Sequence, residues 1–98
     1  MRLPTFIGIG APKAGTTWLF RCLQEHPAVF AAAVKETNFF DYATITGRMH
    51  EYAAHFSTAA GCQAVGEIST RYLTSCRAPF RIRTYLPTAR LFVTVRNP

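Results

Sequence analysis

A glycine-rich bend between an apolar run and an amphipathic run is the feature that most constrains this chain. Residues 7–20 read IGIGAPKAGTTWLF. The apolar start predicts a buried strand at residues 5–9. The residues after Gly15 predict a helix over 16–26, which ends before Pro27 because proline disfavours helical backbone in the residue before it. A strand, a short bend and a helix in this order form the opening unit of an α/β sheet.

The rest of the chain repeats this alternation. Residues 64–68 and 90–95 predict two further strands, and residues 47–56 and 77–86 predict helices. Residues 28–34 fit either a short strand or an alanine-rich turn. The predicted fold class is therefore α/β, with a P-loop-like parallel sheet and flanking helices in three layers (αβα). Because no covering helix follows the last predicted strand, we expect the fold to be truncated after this third strand.

The first predicted helix is amphipathic. The helical period places Leu19, Cys22 and Leu23 on its buried face. Trp18, near its start, is expected to pack in the core, as large aromatic side chains commonly do. The chain has three cysteines, none in a CxxC pair, and this spacing predicts reduced thiols and neither a metal site nor a disulfide framework.

The charge balance favours an anionic ligand. Eleven Lys and Arg residues against five Asp and Glu residues give a net charge of +6. The basic residues are dispersed and lack the clustering of an RNA-binding arm, so no nucleic-acid partner is expected. No stretch approaches the length of a membrane span, and the apolar run near the start is too short for a signal peptide. The predicted location is cytoplasmic.

The bend itself predicts a site for a phosphate or sulfate group. The first amides of a helix have no partners within the helix, and the helix dipole adds partial positive charge there. Gly10 and Gly15 allow a ligand to approach the backbone, Lys13 adds a full charge, and Thr16 or Thr17 can cap the helix or donate a hydroxyl. The bend is not a Walker A loop, since the lysine precedes the second glycine, and it is not GxGxxG.

Four stretches in order resemble sulfotransferases that use 3′-phosphoadenosine 5′-phosphosulfate (PAPS), in particular the heparan-sulfate-type and bacterial domains. GAPKAGTTWL resembles their 5′-phosphosulfate loop. HPAVFAAAVKETNFFD, at 26–41, resembles the segment with an acidic residue ahead of Phe-Phe-Asp. VGEISTRYL, at 65–73, is similar to a Glu-x-Ser/Thr-Pro-x-Tyr motif, and RLFVTVRNP, at 90–98, resembles the strand that leads to a 3′-phosphate-binding arginine.

The resemblance implies an enzyme that transfers a sulfuryl group from PAPS, without a metal, to a hydroxyl or amine of a small-molecule or carbohydrate acceptor. Residues 1–98 would be the N-terminal, donor-binding portion of one sulfotransferase domain. Lys13 and Glu36 would be catalytic, Lys13 on the sulfonate and Glu36 as general base on the acceptor. The implied donor-binding residues are Lys13, Ala14, Gly15, Thr16, Thr17 and Arg96.

The chain also departs from the family pattern. Ile68 stands where some members have a second lysine, and Thr70 replaces the usual proline. Two alternatives stay open from the residues: a P-loop-type nucleotide kinase or NTPase, and a truncated nucleotide-binding fragment without catalysis. Glu36 could instead be a surface carboxylate paired with Lys35, and Glu67 is expected to have a structural hydrogen-bonding role.

Overall fold

A four-stranded parallel sheet forms the centre of the structure, a computed structural model that describes residues 3–11, 15–32, 36–59 and 61–95. The strands lie in the order β2-β3-β1-β4, and each neighbouring pair is parallel. In chain order they are β1 (Phe6–Gly8), β2 (Val29–Ala31), β3 (Ala64–Ile68) and β4 (Arg90–Phe92). Because all four are parallel, their carboxyl ends meet at one edge of the sheet.

Helices connect the strands. The helix α1 (Thr16–Glu25) links β1 to β2, α2 (Met49–Ala54) precedes β3, and α3 (Ala78–Tyr85) precedes β4. Two short 3₁₀ helices, Phe39–Asp41 and Thr70–Leu73, complete the described elements. None of the helices in the described residues is long and apolar enough to cross a lipid bilayer.

The sheet separates two apolar clusters, because successive side chains of a strand point to opposite faces. On one face, Phe20 of α1 packs with Ala31 and Ile68. On the other face, Ile7 and Val65 lie in a larger cluster that also takes in residues of α2, α3 and the first 3₁₀ helix. The result is a helix layer on each face of the sheet, so the predicted three-layer α/β fold is confirmed.

The segment left open between strand and turn is a strand. Val29–Ala31 pairs in parallel with the start of β3, Phe30 lying opposite Val65. The sheet therefore has four strands where three were predicted, and the strand predicted over 90–95 is the fourth, regular over Arg90–Phe92. Its pairing with the segment after β1 continues further, since the amide of Thr94 donates to the carbonyl of Gly10 at 2.8 Å.

The predicted burial of Trp18 and Cys22 on α1 is wrong, whereas Leu19 and Leu23 do pack against the cluster on that face of the sheet. Trp18 is 72% exposed and Cys22 is also exposed, whereas Phe20 is buried. Thr16, Phe20 and Leu23 recur every three or four residues, and this stripe faces the sheet. The sequence pattern indicates that one face of the helix is buried. Because apolar residues occur on more than one face, the pattern does not specify which face packs on the sheet.

We expect Phe20→Ala to lower the free energy of unfolding by about 3–4 kcal/mol, because it leaves a cavity between α1 and the sheet. The matched control is Trp18→Ala, which truncates an exposed aromatic residue on the same helix and should change stability by no more than about 0.5 kcal/mol. Urea unfolding followed by circular dichroism measures both. Equal losses in the two variants would contradict this packing of α1.

Candidate functional site

The carboxyl ends of β1 and β3 define a crevice at one edge of the sheet. These strands are neighbours, yet the chain leaves β1 toward α1 on one face and leaves β3 toward α3 on the opposite face. In open parallel sheets, ligands bind where neighbouring connections diverge in this way. Residues 9–11, the start of α1 and residues 69–73 therefore border the candidate site.

The start of α1 borders this crevice, and the first amides of a helix have no partners within the helix itself. Gly15 precedes the helix with φ 82°, in the left-handed region where glycine is favoured, and its carbonyl accepts the amide of Leu19 at 3.0 Å. Thr16 is buried and Thr17 is exposed. Neither caps the helix, since α1 has no side-chain cap among the described residues. Lys13 and Ala14 lie outside the described residues, so their predicted roles stay predictions.

Glu36 lies at the carboxyl end of β3. Its backbone has φ 67°, and its amide donates to the carbonyl of Ile68 at 2.8 Å. Its carboxylate accepts two hydrogen bonds from Thr70, one from the amide at 2.8 Å and one from the hydroxyl at 2.9 Å. The predicted base is thus half-buried and held against the strand beside β1. Lys35, its predicted alternative partner, lies outside the described residues.

Directly beneath this position, the carboxyl group of Glu67 is completely buried among hydroxyl groups. Four hydroxyls donate to it, which fills the acceptor capacity of an ionised carboxylate. Oε1 accepts from Thr37 at 2.5 Å and from Ser69 at 2.6 Å, and Oε2 accepts from Tyr72 at 3.0 Å and from Tyr52. We call Glu67 and these four residues the Glu67 cage. The predicted structural role of Glu67 is confirmed by these contacts.

The Glu67 cage also holds the backbone that follows Glu36. The amide of Asn38 donates to the hydroxyl oxygen of Ser69 at 3.0 Å, and the amide of Phe40 donates to that of Tyr72 at 3.3 Å. The cage therefore joins β3, α2, the second 3₁₀ helix and the loop from residue 37 to the first 3₁₀ helix. A single buried carboxyl group organises four segments that are distant in the sequence.

Burial raises the pKa of both cage tyrosines. Removal from water is the largest cause for Tyr52 and for Tyr72, and the nearby negative charge of Glu67 is the next. Both effects disfavour the phenolate, since a negative charge would be placed in a buried site beside another negative charge. The two hydroxyls thus stay protonated and able to donate to Glu67 throughout the neutral range.

The remaining charged residues near the site lie at its rim. The carboxylate of Asp41 forms an ion pair with the exposed Arg71 at 3.5 Å, and the backbone carbonyl of Asp41 accepts a hydrogen bond from the side chain of Arg77 at 3.0 Å. These contacts brace the first 3₁₀ helix. Arg96 lies outside the described residues. Within the described residues, no group of three or more His, Cys, Asp or Glu side chains could hold a metal ion.

The fold and the site describe a three-layer α/β protein with a helix N-terminus and a hydrogen-bonded carboxylate at one edge of the sheet. Two comparisons agree on its class. The chain is 33% identical over 99 residues to the membrane-associated sulfotransferase kil1 of Dictyostelium discoideum, a match that covers 98% of this chain and 21% of that protein. It is 28% identical to a sulfotransferase of known structure from Alicyclobacillus acidocaldarius, with a TM-score of 0.82.

These matches confirm the resemblance to sulfotransferases, and the described residues have the fold of a sulfotransferase-type domain. The structural match covers 95% of this chain and 44% of the bacterial one. The chain thus spans about a fifth of the curated relative and less than half of the solved structure. No protein-family model matches the chain. The alternative of a P-loop kinase or NTPase is not favoured by these relatives.

Sequence reasoning located only part of the Glu67 cage. Glu67, Ser69 and Tyr72 all belong to the stretch VGEISTRYL, so the motif did mark three of its five members. Thr37 and Tyr52 come from other segments. No local pattern distinguishes these two from an ordinary polar loop residue and an ordinary core tyrosine, and only the fold brings them to Glu67.

We expect Glu67→Gln to lower the free energy of unfolding by about 2–4 kcal/mol, because an amide nitrogen cannot accept and leaves buried hydroxyls without an acceptor. Glu25→Gln is the matched control: it makes the same substitution at an exposed position of α1 and should cost no more than about 0.5 kcal/mol. Chemical unfolding at pH 7 provides the measurement. A Glu67→Gln protein as stable as the control would refute the cage.

The raised pKa of the cage tyrosines predicts a loss of stability in alkali. Above pH about 10 the unfolded chain releases the protons of Tyr52 and Tyr72 while the folded chain keeps them, so their contribution is complete below that pH and is lost as the pH rises. Each tyrosine adds a slope of about 1.4 kcal/mol per pH unit.

The measurement is urea unfolding at several pH values between 9 and 11.5, compared with Tyr52→Phe. The variant is less stable at the outset because it lacks one hydrogen bond to Glu67. Its free energy of unfolding should nevertheless fall less steeply with pH, by about 1.4 kcal/mol per pH unit, because one tyrosine fewer releases a proton. An identical slope in the two proteins would contradict the alkaline titration assigned to Tyr52.

Proposed function

We propose that this chain forms the donor-binding half of a sulfotransferase domain, which transfers a sulfuryl group from PAPS to a hydroxyl or amine of an acceptor such as a carbohydrate. The observation that carries the proposal is the placement of two functional groups at one sheet edge. The first amides of α1 follow β1, and the carboxylate of Glu36 is held at the end of the neighbouring strand β3.

The start of α1 fits the phosphosulfate end of such a donor. Its first amides have no partners within the helix, and the dipole of a ten-residue helix favours a negative charge there. The exposed Thr17 can add a hydroxyl donor. Lys13 would neutralise charge on the leaving phosphate, Ala14, Gly15 and Thr16 would contribute backbone donors, and Arg96 would bind the 3′-phosphate through its guanidinium fork.

Glu36 is proposed as the general base. When bound, PAPS supplies an electrophilic sulfuryl group, and the transfer leaves adenosine 3′,5′-bisphosphate. The acceptor oxygen forms the new bond to sulfur while the bond from sulfur to the phosphate oxygen breaks, and the acceptor proton passes to Glu36. A positioned base typically contributes about 10²–10⁴-fold to the rate. The rest of the acceleration comes from orientation and charge stabilisation, as in phosphoryl transfer.

The proposed location is cytoplasmic, and the proposed acceptor class is a small molecule or carbohydrate. The basic balance of the chain supports an anionic donor, and an anionic acceptor is compatible with it. The similarity to a protein named as a membrane-associated sulfotransferase supports the chemistry. Fractionation of the cells that make this protein would test the location.

We expect the chain to bind adenosine 3′,5′-bisphosphate and not ATP with Mg²⁺, and Arg96→Ala to weaken that binding by at least about tenfold through loss of a charged hydrogen bond.

Lys13→Ala should lower the transfer rate by about 10²–10³-fold. Glu36→Gln should lower it by about 10²–10⁴-fold with nucleotide affinity retained. Calorimetry measures binding, and transfer of labelled sulfate from PAPS to a panel of acceptors measures activity.

The control for charge alone is Arg21→Ala, which removes an exposed positive charge from α1 and should leave nucleotide binding unchanged. Preference for ATP with Mg²⁺ would support the kinase or NTPase alternative and reject the proposal. Nucleotide binding without transfer to any acceptor would instead support the non-catalytic fragment.

A further inference from the structure

Thr70 makes two hydrogen bonds to the side chain of Glu36, one to each carboxylate oxygen. Its amide donates to Oε2 at 2.8 Å and its hydroxyl donates to Oε1 at 2.9 Å. The terminal torsion of a glutamate is broad when nothing restrains it. Paired donors from one residue therefore fix both the place of the carboxylate and the orientation of its plane.

Both partners in this pair are anchored from behind. Thr70 is 8% exposed and begins the 3₁₀ helix Thr70–Leu73, whose Tyr72 donates to Glu67. Glu36 is tied to β3 through its own amide, and the next residue, Thr37, also donates to Glu67. The Glu67 cage thus links the segment of Glu36 to the segment of Thr70, and the two hydrogen bonds from Thr70 restrain the carboxylate of Glu36 relative to both.

We propose that Thr70 is the positioning residue for Glu36, and this inference rests on the proposed function, in which Glu36 takes the acceptor proton. A base is effective only when its oxygen is oriented toward the proton that it removes. Each carboxylate oxygen has two acceptor positions, and Thr70 uses one on each. These two bonds orient the plane of the carboxylate.

The residue type at position 70 decides whether these bonds exist. The motif that VGEISTRYL resembles has a proline there, and proline has neither an amide hydrogen nor a hydroxyl. Thr70 therefore supplies this chain with two restraints on Glu36 that the proline form lacks. Proline is sterically acceptable at this place, since it would be the first residue of a helix and Ser69 before it is extended, with φ −135° and ψ 101°.

This geometry allows a graded test with three substitutions of Thr70. Serine keeps both donors, valine keeps the shape and the amide but loses the hydroxyl, and proline loses both. We expect kcat for sulfuryl transfer within about twofold of the original for Thr70→Ser, about tenfold lower for Thr70→Val and about a hundredfold lower for Thr70→Pro. The KM for PAPS and the affinity for adenosine 3′,5′-bisphosphate should stay within about twofold in all three.

A second readout needs no turnover. In the ¹⁵N-labelled chain, Glu36→Gln should shift the amide proton of Thr70, because the amide loses a charged acceptor, whereas Glu25→Gln on α1 should leave it unchanged. Melting temperatures identify any variant that fails to fold, and Thr70→Ser serves as the folded reference.

The outcomes separate this inference from the proposed function. If Glu36→Gln abolishes transfer but Thr70→Val and Thr70→Pro are as fast as Thr70→Ser, the positioning role is overturned while the function stands. An unmoved Thr70 amide in Glu36→Gln also overturns it. If Glu36→Gln transfers sulfate at the original rate, or the original chain transfers none, the proposed function itself fails.

Discussion

The burial of the Glu67 carboxyl group is the constraint on which the rest of the site depends. A carboxylate removed from water costs several kcal/mol unless hydrogen bonds replace its hydration. Here the four hydroxyls of the Glu67 cage replace it, and they come from the residue after β3, from α2, from the second 3₁₀ helix and from the loop after Glu36. Any arrangement that moves one of these segments away leaves a buried polar group unpaired, so the segments are held together.

This constraint divides the candidate site into two halves with different origins. The half at the start of α1 follows from local structure, since a glycine with positive φ and the first turn of a helix are enough to form it. The carboxylate half is non-local. Glu36 and Thr70 are 34 residues apart, and they meet only because β2, which precedes Glu36, lies beside β3 in the sheet and the Glu67 cage holds the segments that follow both strands.

The sequence pattern predicted the elements better than their contacts. The strands at residues 64–68 and 90–92 and the helix after Gly15 lie where the apolar periodicity placed them. The strand Val29–Ala31 could not be distinguished from a turn, because three residues carry too little periodicity. The predicted burial of Trp18 and Cys22 was also wrong, because both faces of that helix contain apolar residues.

The sequence by itself determined the α/β class, the bend before α1 and the motif residues Glu36 and Glu67, because each depends on local backbone preference or on a short run of residues. The tertiary structure alone decided that Tyr52 and Thr37 enclose Glu67 and that Thr70 holds Glu36. Hydrogen bonds between side chains act over only about 3 Å. Residues tens of positions apart satisfy that distance only after the sheet order has brought their segments together.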